Sequence, residues 1–166
     1  LVKFKKDNFI KDISTANKIF INNLGYNPIF FSYPFGEYSF YIKEYISKNF
    51  KFSFGQHSGV IDFNKDPHEL PRFPINEKYG DLKRFKTLTK TLPLKYINIL
   101  PNEKYLTLSK NPPDVEVQFI QNIKNIKQIN CYSNEGNIWR NSKIKFINEQ
   151  NMKIIIKEKF VGERGR

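Results

Sequence analysis

Cysteine is almost missing from this chain. Cys131 is the only one among 166 residues, so no internal disulfide can staple the fold. In a strand-like run it reads as a small buried hydrophobe. Histidine is nearly as scarce. His57 and His68 stand eleven residues apart, and neither has a second histidine at the short spacing of a zinc motif. Both read as exposed loop residues. Ser58 adjoins His57, but neighbours in sequence do not make a nucleophile–base pair without a third, orienting group. Gly55-Gln56-His57-Ser58-Gly59 is not a nucleophile elbow, because its serine is not central. Nor is there a glycine loop that would cradle phosphate. No run approaches the roughly 20 apolar residues of a membrane-spanning helix. The first residues show no basic segment followed by an apolar stretch and a cleavage site. The chain opens on Leu1 in place of Met, which predicts a fragment or a processed product, with any export signal upstream.

Arginine is thin as well. Of 28 cationic residues, 23 are Lys and five are Arg, and the net charge is +12. Phosphate and base recognition favours arginine forks interleaved with aromatics on one face. Here the lysines run from Lys3 to Lys159 without a dense block, among many Ile and Asn. A scattered, solvated lysine surface fits that pattern better than a specific nucleic-acid site. Attraction to an anionic surface or polymer stays open. Hydrophobic residues make up 39% of the chain and aromatics 16%, enough for a packed core.

The pattern from residue 7 to 24 is that of an amphipathic helix. Asp7 sits at its start, Phe9, Ile13, Ala16, Phe20 and Leu24 fall on one face, and Gly25 follows as a stop. Residues 29–33 read as a buried strand and 38–49 as a second helix with Tyr41, Ile42, Tyr45 and Ile46 inward. A short strand is expected over 51–55. Residues 70–75 carry Pro71 and Pro74, so they make an edge or terminal strand at best. Residues 81–92 read as a helix. This alternation predicts an α/β unit with a mainly parallel sheet, too short to close a barrel. From Pro93 to Pro113 prolines break every period, and strands are then expected at 115–120, 126–132, 138–147 and 152–160. The turn signals between them fall at Asn122, at Ser133-Asn134-Glu135-Gly136 and at residues 148–151. Their spacing suggests an incomplete antiparallel β-sandwich. The expected organisation is thus a first domain over 1–92, a linker over 93–113 and a β-rich accessory domain over 114–166. Trp139 in that domain is either a core aromatic or a platform for sugar.

The stretch around which the first domain is organised is Phe31-Ser32-Tyr33-Pro34-Phe35-Gly36-Glu37-Tyr38. A strand ends there in a Pro/Gly turn and feeds a helix, which puts backbone N–H groups at the carboxyl edge of a sheet, where α/β folds hold ligands. Together with Phe54-Gly55-Gln56-His57-Ser58-Gly59 and Leu70-Pro71-Arg72-Phe73-Pro74, it resembles the later half of a polysaccharide deacetylase. That family is carbohydrate esterase family four, the NodB-homology domain, and the resemblance covers about residues 3–92.

The resemblance implies a deformed (β/α) barrel, so that the chain would be a partial barrel of the deacetylase type followed by the incomplete sandwich. It implies an N-acetylated polysaccharide or glycan as substrate. It also implies a divalent metal, usually zinc, held by one Asp and two His. Those ligands come from Thr-Phe-Asp-Asp and His-x-x-x-His type strings, neither of which occurs in this sequence. The metal is therefore expected in the intact parent and not on these residues. Carried over by the resemblance are Phe35, whose backbone N–H would help bind the oxyanion, and Arg72, which would tune the base carboxylate. Tyr33, Pro34 and Tyr38 would form the substrate wall. The residues themselves do not give a localisation; the resemblance implies the cell envelope or another extracytoplasmic place. The competing reading is a non-catalytic glycan-binding or structural protein, with a nucleic-acid binder third.

Overall fold

A computed structural model describes residues 6–120, 123 and 126–161, with the backbone alone at Lys6. The turn expected at Asn122 and the last residues, 162–166, lie outside that set. The chain divides into two compact units, residues 1–93 and 94–166.

The first unit is built on helix α1 (Lys6–Leu24), strand β1 (Phe30–Ser32), helix α2 (Phe40–Asn49), strand β2 (Phe52–Phe54) and helix α3 (Leu82–Leu88). Gly25 ends α1 in the left-handed region, φ 77°, with its N–H on the Ile21 carbonyl at 2.8 Å, the stop that a residue without Cβ permits. Ser39 caps α2 by accepting from the Ile42 N–H. The core is small. Phe9 and Ile13 of α1, Ile42 and Ile46 of α2, and Tyr33, Tyr38 and Phe50 form one buried cluster. The helical period of α1 is therefore buried only in its first half, because Ala16 and Leu24 are exposed. α3 leaves Leu82 and Phe85 exposed.

β1 and β2 pair in parallel, Phe30 opposite Phe52 and Ser32 opposite Phe54, and Leu70 adds a single parallel bridge to Phe54. Two strands of three residues and one bridge do not make a partial (β/α) barrel, and that expectation is corrected. Pro71 and Pro74 supply no N–H to continue a ladder, so the strand expected over 70–75 shrinks to Leu70. The next strand in the chain joins an antiparallel sheet instead. Nor is β1 buried as expected: Ile29 and Phe30 are exposed. Phe30 stacks on Phe52 at 5.9 Å over an open hollow of about 220 Å³ that Phe54, Ile61 and Leu70 also line.

The second unit is a single five-stranded antiparallel sheet, curled into a half-barrel, in the order β3-β4-β7-β6-β5. Its strands are β3 (Tyr96–Leu100), β4 (Val115–Phe119), β5 (Cys131–Glu135), β6 (Ile138–Phe146) and β7 (Asn151–Ile155). The incomplete sandwich is thus also corrected: the strands hydrogen-bond side by side in one sheet and are not split between two packed layers. Val117, Phe119, Met152 and Ile154 bury its inner face, with Ile99, Ile126 and Ile144 packed against them. β3 lies within the stretch expected as a linker. Of the strand expected over 126–132, Ile126–Gln128 is a 3-10 turn and only the last two residues enter β5. Among the described residues no helix is long and apolar enough to cross a membrane.

Candidate functional site

Three turns meet at the carboxyl edge of the parallel strands. β1 gives way at Tyr33, whose N–H still donates to the Phe54 carbonyl at 3.0 Å. Pro34 ends the ladder, and the Gly36 and Glu37 N–H groups fold back onto the Tyr33 and Pro34 carbonyls at 2.8 and 3.2 Å. Phe35 takes φ 58° and ψ 7°, a left-handed conformation that few residues with a side chain adopt. The residue is 63% exposed. Gly36 follows at φ 71° and lies so close to the second turn that a Cβ there would stand 2.6 Å from the Gln56 backbone nitrogen.

The second turn leaves β2 through Gly55, whose N–H donates to the Leu70 carbonyl at 2.9 Å. His57, exposed as expected, accepts at its carbonyl from the Arg72 N–H at 3.0 Å. A Cβ on Gly59 would sit 3.1 Å from Pro71. The strings around Phe35, His57 and Arg72 are thus joined backbone to backbone at one edge. Pro34, Phe35 and Arg72 are exposed there.

Tyr33 and Tyr38 are placed differently. Both are buried, their rings 4.6 Å apart, so they support the turn from within and show no open face on which a sugar can stack. The Tyr33 hydroxyl donates to the His68 carbonyl at 3.1 Å. Burial pushes the Tyr33 phenol up to about 12, Ser53 and Lys43 working the other way. Burial, then the Glu69 charge, raises Tyr38 as well.

Behind the turns lies a polar cluster. Ser53 is fully buried, and its Oγ shares a hydrogen bond of 2.9 Å with His68 Nδ1. His68 is accordingly half-buried and not the exposed loop histidine that its sequence context suggests. Burial lowers its pKa, with Asp66 opposing and Lys43 assisting. Asp66 Oδ1 accepts from the His68 backbone N–H at 2.8 Å, and not from the imidazole. With a serine shut off from solvent and a carboxylate that misses the ring, this is not a nucleophile, base and orienting acid. Lys43 Nζ reaches Asp66 Oδ2 at 2.8 Å and Glu69 Oε1 at 2.6 Å. Burial of Lys43 works against its charge, and the two carboxylates outweigh it and raise its pKa. Burial likewise works against the Asp66 charge, and the hydrogen bond from Lys43 and that from the His68 N–H hold it below the usual range.

None of Lys43, Ser53, Asp66, His68 and Glu69 was signalled as a set by sequence. They come together only once β2 pairs with Leu70 and the loop between them folds back. Among the described residues no group of three or more His, Cys, Asp or Glu is arranged to hold a metal ion. The residues present do not supply the ligand set that the deacetylase resemblance implies, so no step through a metal is assigned to this chain. No protein-family model, no curated protein and no solved structure matches the chain.

Proposed function

We propose that this chain is part of a metal-dependent N-deacetylase acting on an N-acetylated amino-sugar polymer or glycan. It supplies the turn that binds the oxyanion and a flanking arginine. The observation that supports this reading is the meeting of the three resembling strings at one sheet edge, with Phe35 in a left-handed backbone conformation at its tip. Strained, exposed backbone of that kind gathers at functional sites.

In the reaction, water adds to the acetamide carbonyl, the C–N bond breaks, and acetate and an amine leave. The carbonyl oxygen gains charge when water adds, and a fixed backbone donor aimed at that oxygen lowers the barrier. In this reading the donor is the Phe35 N–H. Arg72 favours the ionised form of the carboxylate that takes the proton from water. That carboxylate and the metal ligands come from polypeptide outside these 166 residues.

The buried positions of Tyr33 and Tyr38 narrow the substrate wall to what the edge exposes, Pro34 and the Phe35 ring. The test is acetate release from an N-acetylated amino-sugar polymer by the intact parent, with and without a chelator and with Arg72→Ala. Loss of release on chelation and a fall in the variant are expected. Full release after metal removal together with an unchanged variant would sink the proposal. A parent that binds glycan and releases no acetate would move the assignment to a non-catalytic glycan-binding protein.

A further inference from the structure

In the β5–β6 hairpin, register decides which side chains stand together. Tyr132 is opposite Asn141 and Asn134 is opposite Trp139, alternating with the pairs Cys131–Ser142 and Ser133–Arg140. Opposed residues of antiparallel strands project to the same face. Ser133 and Ser142 are buried and Cys131 packs on the apolar cluster, so the second set is inward. Tyr132, Asn134, Trp139 and Asn141 therefore share the outer face. Trp139 is 67% exposed and Tyr132 53%. They are diagonal neighbours in the ladder, a relationship that sets side chains about 7–8 Å apart.

Two further observations bear on what binds there. Asn134 Nδ2 is shut off from solvent and has no hydrogen-bond partner among the described residues, a state that native structures seldom leave unexplained. Its soft terminal torsion lets the amide turn toward an arriving acceptor. The four residues also carry no charge. The Arg140 guanidinium is on the inner side, bound to Glu158 at 2.7 Å. Lys143 and Lys145 share the outer face: Lys143 is the other diagonal neighbour of Tyr132, and Lys145 lies one step further along β6. Lys145 is opposite Lys153, which pairs with Asp114 at 2.9 Å. Single-stranded nucleic acid calls for cations tracking the phosphates beside the stacking rings. Here the residue directly opposite each ring is a neutral amide, Asn141 for Tyr132 and Asn134 for Trp139.

We infer that the outer face of β5 and β6 is a binding platform for a neutral sugar chain. Trp139 and Tyr132 stack on the apolar faces of its rings, and Asn134 and Asn141 hydrogen-bond its hydroxyls. The platform involves no metal and does not rest on the deacetylase reading.

Trp139 is the only tryptophan in the chain, so its emission reports on the platform directly. The full chain is titrated with a chitin oligosaccharide, a cello-oligosaccharide and a thymidine oligonucleotide, at low and high salt. A saturable, salt-insensitive change with at least one of the two sugars is expected. Electrophoresis through gels containing glycol chitin or hydroxyethyl cellulose then compares variants. Trp139→Ala is expected to weaken retardation by about tenfold or more, as loss of a central aromatic anchor does. Tyr132→Ala weakens it less and keeps the reporter, and Lys145→Ala leaves it unchanged. Circular dichroism checks that each variant is folded. No response to either sugar, a response to the oligonucleotide alone, or undiminished retardation of both aromatic variants would overturn the inference.

Discussion

Ser53 Oγ and His68 Nδ1 share a hydrogen bond of 2.9 Å at a point where the serine has no contact with solvent. Through it β2 holds the loop that carries Asp66, His68 and Glu69, and the Tyr33 hydroxyl fastens the same loop at the His68 carbonyl. Neutral His68 can accept from the serine at Nδ1, whereas the protonated ring can only donate. Burial lowers the His68 pKa from its ordinary 6.5. The unfolded chain therefore binds the proton more readily than the folded one, and stability rises with pH across the window. The contribution is complete above pH 6.5 and is lost as pH falls below it. Urea unfolding followed by helical circular dichroism should show the first unit weakening on acidification from that point, since α1, α2 and α3 all lie in it. His68→Asn should flatten that limb. Ser53→Ala should cost about 1–2 kcal/mol by stranding a half-buried imidazole nitrogen.

Lys43 joins Asp66 and Glu69 from α2 to the same loop. The Asp66 side chain is 42% exposed, so water screens the pair. Its worth is set nearer that of a surface bridge than of a buried one, about 1 kcal/mol. Lys43→Met keeps the packing and leaves two carboxylates facing each other. The Asp66 pKa, held down by Lys43 against the effect of burial, should then move up past its ordinary 3.8, as a carboxyl titration by NMR would register. A lowered carboxylate pKa stabilises above the unfolded value and loses that contribution as pH falls through the folded one. The wild-type chain should lose this increment on acidification below pH 3.8, and the variant should lack it throughout. An unmoved Asp66 titration would show that the bridge does not set the charge state.

In the second unit, Asn111 ties two distant stretches. Its Nδ2 donates to the Phe160 carbonyl at 2.7 Å and its Oδ1 accepts from the Phe160 N–H at 2.9 Å. One amide thus mimics a strand neighbour for residues that follow β7. Asn111→Asp keeps the acceptor and turns the donor into a second acceptor facing a carbonyl. Asn111→Ala removes both bonds and leaves both backbone groups to water. The aspartate should be the worse of the two, and alanine should cost about 1–2 kcal/mol, read as the urea midpoint of Trp139 emission.

What could be read from the sequence follows the range of the interactions. The period of α2 and the stop at Gly25 are local, and both survive in the fold. β3 was missed because Pro93 and Pro101 flank it and read as breakers, although Tyr96-Ile97-Asn98-Ile99-Leu100 is rich in strand formers. The alternation in β4 to β7 reveals one buried face per strand. It does not reveal whether strands share one sheet or face each other across two, since both arrangements bury the same residues. The turn at Phe35 was legible because proline and glycine announce it. The Lys43, Ser53 and His68 cluster was not, because its members come from α2, β2 and a loop that only parallel pairing brings together. Trp139 lay open between core and platform, and only the register of β5 against β6 puts it outside.

Phe35 and Gly36 occupy the left-handed region in succession, at φ 58° and 71°, yet they differ in what surrounds them. Gly and Ala both remove the Phe35 ring, so the backbone decides between them. Phe35→Gly should therefore be more stable than Phe35→Ala by about 1 kcal/mol, the reverse of the order expected in a helix. At Gly36 the space is also closed, because a Cβ would stand 2.6 Å from the Gln56 nitrogen and 2.7 Å from its Cβ. Gly36→Ala thus combines an unfavourable φ with a collision against backbone, and it should cost on the order of 2–3 kcal/mol. Because the obstacle is the second turn, the damage should extend to it. Amide exchange at Arg72, whose N–H is held by the His57 carbonyl, should quicken in Gly36→Ala and stay near wild type in Phe35→Gly. If exchange at Arg72 responds to neither substitution, the turns share an edge without supporting one another.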